Sequence, residues 1–213
     1  MLQRDSSLRE RNTIAMRKAY LLALLALLLA SCSSVTVTLP ATTPTVTGGT
    51  RNNPGPVTEP KWGTRAKTSG CTVQGPLQDL ACTPGDIFPN ATKADICTPG
   101  YARSVRNVST RVKSQVYSEY GVISHSPGEY EIDHLVSLQL GGSNDISNLW
   151  PEAATPTPGF HEKDRVENYL HDEVCSGAIT LKQAQIEIAT NWLTVYERMP
   201  KKSQSSGSPN GAP

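Results

Sequence analysis

The stretch from Glu129 to Gly177 constrains the fold of this chain more than any other. Glu129 to Leu140 is rich in β-formers, Gly141-Gly142-Ser143-Asn144 is a strong turn signal, and Ile146 to Trp150 is a second apolar patch. Together they predict a hairpin. A Pro-rich break follows from Pro151 to Pro158. Beyond it Val166, Leu170 and Val174 recur every four residues until Gly177, which predicts a helix over roughly 160–175 with a glycine stop. The unit reads strand, turn, strand, helix, and the expected class is α+β.

Flanking segments extend this unit. Between Cys97 and Val122 no acidic residue appears until Glu119, while Arg103, Arg106, Arg111 and Lys113 cluster and Val112, Val116 and Tyr120 recur at helical spacing. A short basic loop followed by a helix fits this pattern. A last helix is expected from Thr180, whose spacing to Gln183 suits a capping box, and its apolar stripe runs through Leu181, Ala184, Ile188, Trp192, Val195 and Met199. That stripe reads as core. Residues 201–213 are poor in core-forming side chains and are expected to be disordered.

The N-terminal part reads as an export signal. Arg17-Lys18 precede the apolar run Tyr20 to Ala30, too short for a bilayer span but suited to a signal peptide. Translation from Met16 would make that signal compact. Leu29-Ala30-Ser31-Cys32 resembles a bacterial lipobox, which predicts acylation of Cys32 and anchorage to the cell envelope, a plainly secreted protein being the alternative. Residues 1–31 are then the signal, 32–66 a Thr/Pro/Gly tether, 67–200 the folded domain and 201–213 the tail. An oxidising destination gives the remaining Cys71, Cys82, Cys97 and Cys175 a disulfide role. Three pairings are open; 71–82 and 97–175 are favoured by the proximity of the first two and the flanking positions of the others. A four-cysteine zinc site is disfavoured because no Cys-x-x-Cys pair exists. With 20 Lys and Arg against 19 Asp and Glu, overall charge points to no particular partner.

The segment Tyr130-Glu-Ile-Asp-His-Leu-Val-Ser-Leu-Gln-Leu-Gly-Gly-Ser-Asn-Asp-Ile-Ser-Asn-Leu-Trp-Pro151 resembles the Asp-His, Gly-Gly and Asn-Leu signature of the HNH (His-Me finger) nuclease family. Lys163-Asp164-x-x-Glu167-Asn168, Val174-Cys-Ser-Gly177 and Ala184-Gln185 to Trp192 are similar to an exported branch of that family. The resemblance implies a ββα-metal core and an endonuclease acting on DNA, with RNA also open, and products carrying 5′-phosphates. It implies Asp133 as metal ligand, His134 as general base and Asn148 as the residue that pins the connecting loop and so orients the histidine. Phosphodiester hydrolysis requires an activated water and a cation to offset developing charge. An unperturbed histidine, with a pKa of about 6.5, is available as a base near neutral pH.

The helix residue that completes the metal site departs from the simplest family pattern, since no His-x-x-x-His is present. Asp164 is the first candidate, with Asn168 one turn on; His161 and Glu167 are the reserves. Adjacent strand residues point to opposite sides, so a bend at the strand end must bring Asp133 and His134 to one site. Oxygen ligation favours one Mg²⁺ or Mn²⁺, and a His161 ligand would tilt the site toward Zn²⁺ or Ni²⁺. Lys163, Arg103 and Arg106 are candidates for substrate phosphate, each against the alternative of a solvated surface residue. His125 and His171 read as surface residues. A monomer without a protein partner is expected. The rival from another class is a non-catalytic lipoprotein that binds nucleic acid or supports the envelope.

Overall fold

A computed structural model describes residues 58–205; the signal peptide, Cys32, most of the tether and the last eight residues lie outside the described residues. Three short or medium helices lead to the central unit, which begins with the first strand. The first is α1 (Lys93–Ile96), whose Thr92 and Asp95 cap each other reciprocally. Then come α2 (Tyr101–Val105), α3 (Thr110–Glu119) with Ser109 as its cap, and β1 (Tyr130–His134). A long connection containing two single 3₁₀ turns, Leu138–Leu140 and Ile146–Asn148, leads to β2 (Leu149–Ala153). The helices α4 (Phe160–Ser176), α5 (Leu181–Arg198) and α6 (Lys201–Ser205) follow. The class is α+β, with one two-stranded antiparallel sheet among the described residues.

The hairpin differs from the sequence expectation in where it turns. β1 pairs β2 with Tyr130 opposite Ala153 and His134 opposite Leu149, so the first strand stops six residues before Leu140 and the second runs through Pro151. Residues 135–148 are a loop whose apolar side chains face inward: Leu135, Val136, Leu138 and Leu140 are all at most 2% exposed. Alternating β-formers here mark a buried loop because Asn148 supplies its hydrogen bonds in place of a partner strand. Gly142 is required in it. A Cβ at that position would lie 1.7 Å from the Val136 carbonyl oxygen.

The core lies where this loop meets α4 and α5. Val166, Leu170 and Val174 from α4 pack with Ala184, Ile188, Trp192 and Val195 from α5, and with Leu135, Leu140 and Trp150. Gly177, at φ 86°, takes the left-handed conformation that ends α4. Thr180 accepts a hydrogen bond from the Gln183 amide, but the Gln183 side chain turns to Glu187, so only half of the expected capping box forms. α5 breaks at Asn191 (φ −167°, ψ 94°), whose side chain recaps the chain at the Leu193 and Thr194 amides.

The domain boundaries also move. Residues 59–66, assigned to the tether, are packed on the domain: the Gly63 and Ala66 amides donate to Gly85 and Ala81 carbonyls, Arg65 pairs with Glu119, and Trp62 packs against the core. At the other end Lys201–Ser205 is helical, with Gln204 donating to the Tyr196 and Met199 carbonyls and accepting from Arg165. Both disulfides follow the favoured pairing, Cys71 to Cys82 with Cα atoms 6.0 Å apart and Cys97 to Cys175 at 5.7 Å. No helix among the described residues is long and apolar enough to cross a membrane.

Candidate active site

β1 runs along the floor of a cleft of about 450 Å³, within the range of roughly 300–1,000 Å³ usual for ligand sites. Its walls come from α2 and α3 on one side (Ala102, Arg106, Lys113, Tyr117) and α4 on the other (Phe160, Asp164, Glu167, Asn168). Asp133 and His134 both line it at the end of β1. The Asp133 side chain folds back along the chain, its Oδ1 accepting from the His134 amide at 2.7 Å.

His134 is 3% exposed, and its Nε2 lies 3.2 Å from Asn144 Oδ1. Asn144 cannot present its other end, because its Nδ2 donates to the Val105 carbonyl at 2.7 Å and its Oδ1 accepts from the Asn107 amide. The imidazole therefore carries its proton on Nε2 and leaves Nδ1 as the basic nitrogen. Burial lowers the His134 pKa to about 4, against the opposing pull of Asp133 and Asn144. The ring is neutral at pH 7.

Asn148 is fully buried and ties the loop: Oδ1 accepts from the amides of Val136 at 2.9 Å and Asp86 at 3.3 Å, and Nδ2 donates to the carbonyls of Val136 and Ser143. All four of these hydrogen bonds go to backbone groups and none to the histidine ring. The direct orienting contact belongs to Asn144, which the sequence presents only as part of a turn.

Lys163 is neither a solvated lysine nor placed to meet a substrate phosphate. It is 0% exposed, and its Nζ reaches Asp133 Oδ2 at 2.6 Å, Glu167 Oε1 at 2.5 Å and the His134 carbonyl at 2.8 Å. Desolvation opposes its charge, but the paired Asp133 and Glu167 outweigh it and keep the ammonium protonated well above the usual lysine range. Burial likewise opposes the charge on Asp133, and Lys163 reverses the balance, holding its carboxyl below the usual range. Glu152, fully buried next to them, goes the other way. Neither of its oxygens has a hydrogen-bond partner among the described residues, and burial, with the Asp133 carboxylate beside it, pushes its pKa well up. Neither Glu152 nor Glu131 stood out in the sequence beside the Asp-His pair.

On α4, Asp164 and Asn168 line the cleft, and Asn168 Oδ1 accepts from Gln139 at 3.2 Å. Burial and then the nearby Glu167, Asp133 and Glu131 carboxylates push Asp164 up to about 8; burial and Asp133 push Glu131 up to about 7. His161 does not join them. It lies exposed in the first turn of α4 with its ring against Phe160, centroids 4.2 Å apart. Of the two arginines, Arg106 lines the cleft with Lys113, whereas Arg103 is exposed and takes no part in it.

The carboxylate-rich wall suits a hard divalent cation held by one or two carboxylates and water. It is not a closed cage. Among the described residues, the single group of three His, Cys, Asp or Glu side chains with ligand atoms within 4.8 Å of one another is Cys97, His171 and Cys175. There the two sulfurs are joined in the disulfide, and His171, half-buried and not a surface residue as expected, has its Nε2 3.0 Å from the Ile96 carbonyl oxygen. A metal at that place requires the reduced protein. No family model, curated protein or solved structure matches this chain.

Proposed function

We propose that this chain is an exported, lipid-anchored endonuclease that hydrolyses phosphodiester bonds of DNA, with RNA as a second substrate, on a ββα-metal core formed by β1, β2 and α4. The observation that carries this reading is His134, a neutral imidazole of fixed tautomer lining a cleft that also holds a carboxylate wall and the cations Arg106 and Lys113. The exported state is supported by the two disulfides and by the Cys32 lipobox.

In this mechanism Arg106 and Lys113 bind the phosphate and orient it against β1. The bound phosphate adds negative charge near His134 and raises its basicity from about 4 toward the working pH. As water attacks phosphorus its proton passes to His134 Nδ1, the P–O3′ bond breaks, the departing 3′ oxygen takes a proton from solvent water to become the 3′ hydroxyl of one fragment, and the phosphate stays on the 5′ oxygen of the other. Asn144 holds the tautomer throughout, and Lys163 holds Asp133 ionised beside the histidine. Asp133, Asp164 and Asn168 would hold a divalent cation, magnesium before manganese, zinc or nickel, which would supply Lewis-acid stabilisation of the developing charge.

Plasmid incubated with the purified protein in magnesium should be cut, and EDTA should stop it. His134→Ala should lower turnover by about 10²- to 10⁴-fold with nucleic-acid binding retained. Cleavage at the parental rate by that variant refutes the mechanism. Asp164→Ala is the cleaner probe of metal affinity, because Asp133→Ala would also remove one of the two carboxylates that pair with the buried Lys163.

A further inference from the structure

The cleft has an aromatic end that the hydrolytic chemistry does not use. Tyr117 on α3 and Tyr130 at the start of β1 both line it, half-buried. Neither belongs to the hydrophobic core, in contrast to Tyr101 and Tyr120, which pack against it. The exposed His125 braces them. Its ring lies 4.5 Å from Tyr117 at 32° and edge-on to Tyr130 at 6.2 Å, and it is not itself a lining residue. The two rings have a basic residue close by: Lys113 and Tyr117 are four residues apart on the same face of α3, about 6 Å along the axis. No salt bridge among the described residues engages Lys113 or Arg106.

We propose that Tyr117 and Tyr130 form a nucleobase-stacking subsite, with Lys113 and Arg106 taking the phosphate of the same strand, so that the preferred substrate is a single-stranded or locally unpaired nucleic acid. This rests on the nuclease reading of the cleft and adds the substrate class. A base inside a duplex has both faces covered by its neighbours and cannot offer one to a tyrosine ring. An unpaired base can, and stacking of this kind is indifferent to which base it is. Duplex binding then depends on the phosphate contacts alone and should be weaker and more sensitive to salt.

The test uses the full chain carrying His134→Ala, titrated with a single-stranded oligodeoxynucleotide containing 2-aminopurine and with its duplex. The single strand should bind about tenfold more tightly, with quenching of the 2-aminopurine as the base stacks. Tyr117→Leu in the same background should remove the quenching and the single-strand preference while leaving duplex affinity unchanged, and Tyr117→Phe should keep both. Tyr130→Leu repeats the test from the opposite wall should Tyr117→Leu fail to fold. Equal affinity for the two forms, or single-strand binding indifferent to both leucine variants, overturns the subsite and leaves the nuclease reading standing if the parent chain still cuts plasmid. A parent chain that neither cuts nor binds either form removes both.

Discussion

A single buried amide, Asn148, holds the loop that delivers His134 to the cleft. Its side chain spends both polar ends on backbone groups of Val136, Ser143 and Asp86, a loop that has no partner strand to satisfy it. Asn148→Ala leaves the Val136 amide and carbonyl without partners in the interior, and each buried orphan costs about 1–3 kcal/mol. The variant should lose about 3 kcal/mol or more, read from the midpoint of urea unfolding. A midpoint within error of the parent would show that water or a shifted backbone replaces the amide. Asn148 was legible from its place after the turn in the resemblance; Asn144 was not, because an Asn in a Gly-Gly-Ser-Asn turn needs no explanation beyond the turn itself.

At the scale of elements, the Cys97–Cys175 bridge joins the C-cap of α1 to the last turn of α4. It closes a loop of 78 residues that contains β1, β2 and most of the cleft. Loop-closure entropy for that length is about 4–5 kcal/mol, the upper part of the usual range for a disulfide. Replacing both cysteines by serine should lower stability by that order, and thermal unfolding should become broader or shift down by many degrees. The Cys71–Cys82 bridge closes a separation of only 11 residues, so Cys71→Ser with Cys82→Ser should cost less. An equal loss for the two pairs would argue against loop length as the origin. α4 and α5 were legible because their signals are local: Gly177 as a stop, Thr180 as a cap, and a stripe at steps of three and four; the single turn of α1 was not among the expected helices. The break at Asn191 was not legible, since one residue leaving helical geometry does not disturb the periodicity on either side.

For the molecule as a whole, the cleft sets the pH dependence. Glu131, near 4.5 when unfolded, stands at about 7 in the fold, and Asp164 moves from 3.8 to about 8. A carboxyl whose folded pKa is raised contributes stability that is complete below its unfolded pKa and is lost as pH rises through the folded one. His134 behaves oppositely, lowered from 6.5 to about 4, so its contribution is complete above 6.5 and lost as pH falls through 4. Between pH 6.5 and 8 the His134 contribution is constant, while Glu131 and Asp164, together with the buried Glu152 and Glu167 whose carboxyls are also pushed up, bind more protons in the fold than in the unfolded chain. The metal-free domain in EDTA should therefore lose stability across that window. Asp164→Asn should flatten the profile, and magnesium should restore more stability at pH 8.5 than at pH 6. Unfolding midpoints that stay constant from pH 6.5 to 8 in EDTA would mean that these carboxyls are solvated in the native state.

By itself the sequence determined what depends on neighbours within a turn or two of chain: the α+β order of elements, the extent of α4, the apolar stripe of α5, the Thr180 cap and the segment that carries Asp133 and His134. The elements follow from periodicity, caps and glycine conformations, which act over a few residues, while the Asp133–His134 segment was singled out by its resemblance to the HNH signature. The disulfide pairing, though long-range, was suggested by position and needed the packing of α1 on α4 to be realised. Only the tertiary structure decided which charges are buried and which face the cleft. Lys163 reads like any surface lysine until α4 is laid against β1, where Asp133 and Glu167 close around its ammonium. Arg106 faces the cleft while Arg103, one turn earlier, does not; His161 points to solvent while Asp164 and Asn168 line the wall. Desolvation and ion pairing depend on what is packed opposite a side chain, and that partner lies in another part of the chain.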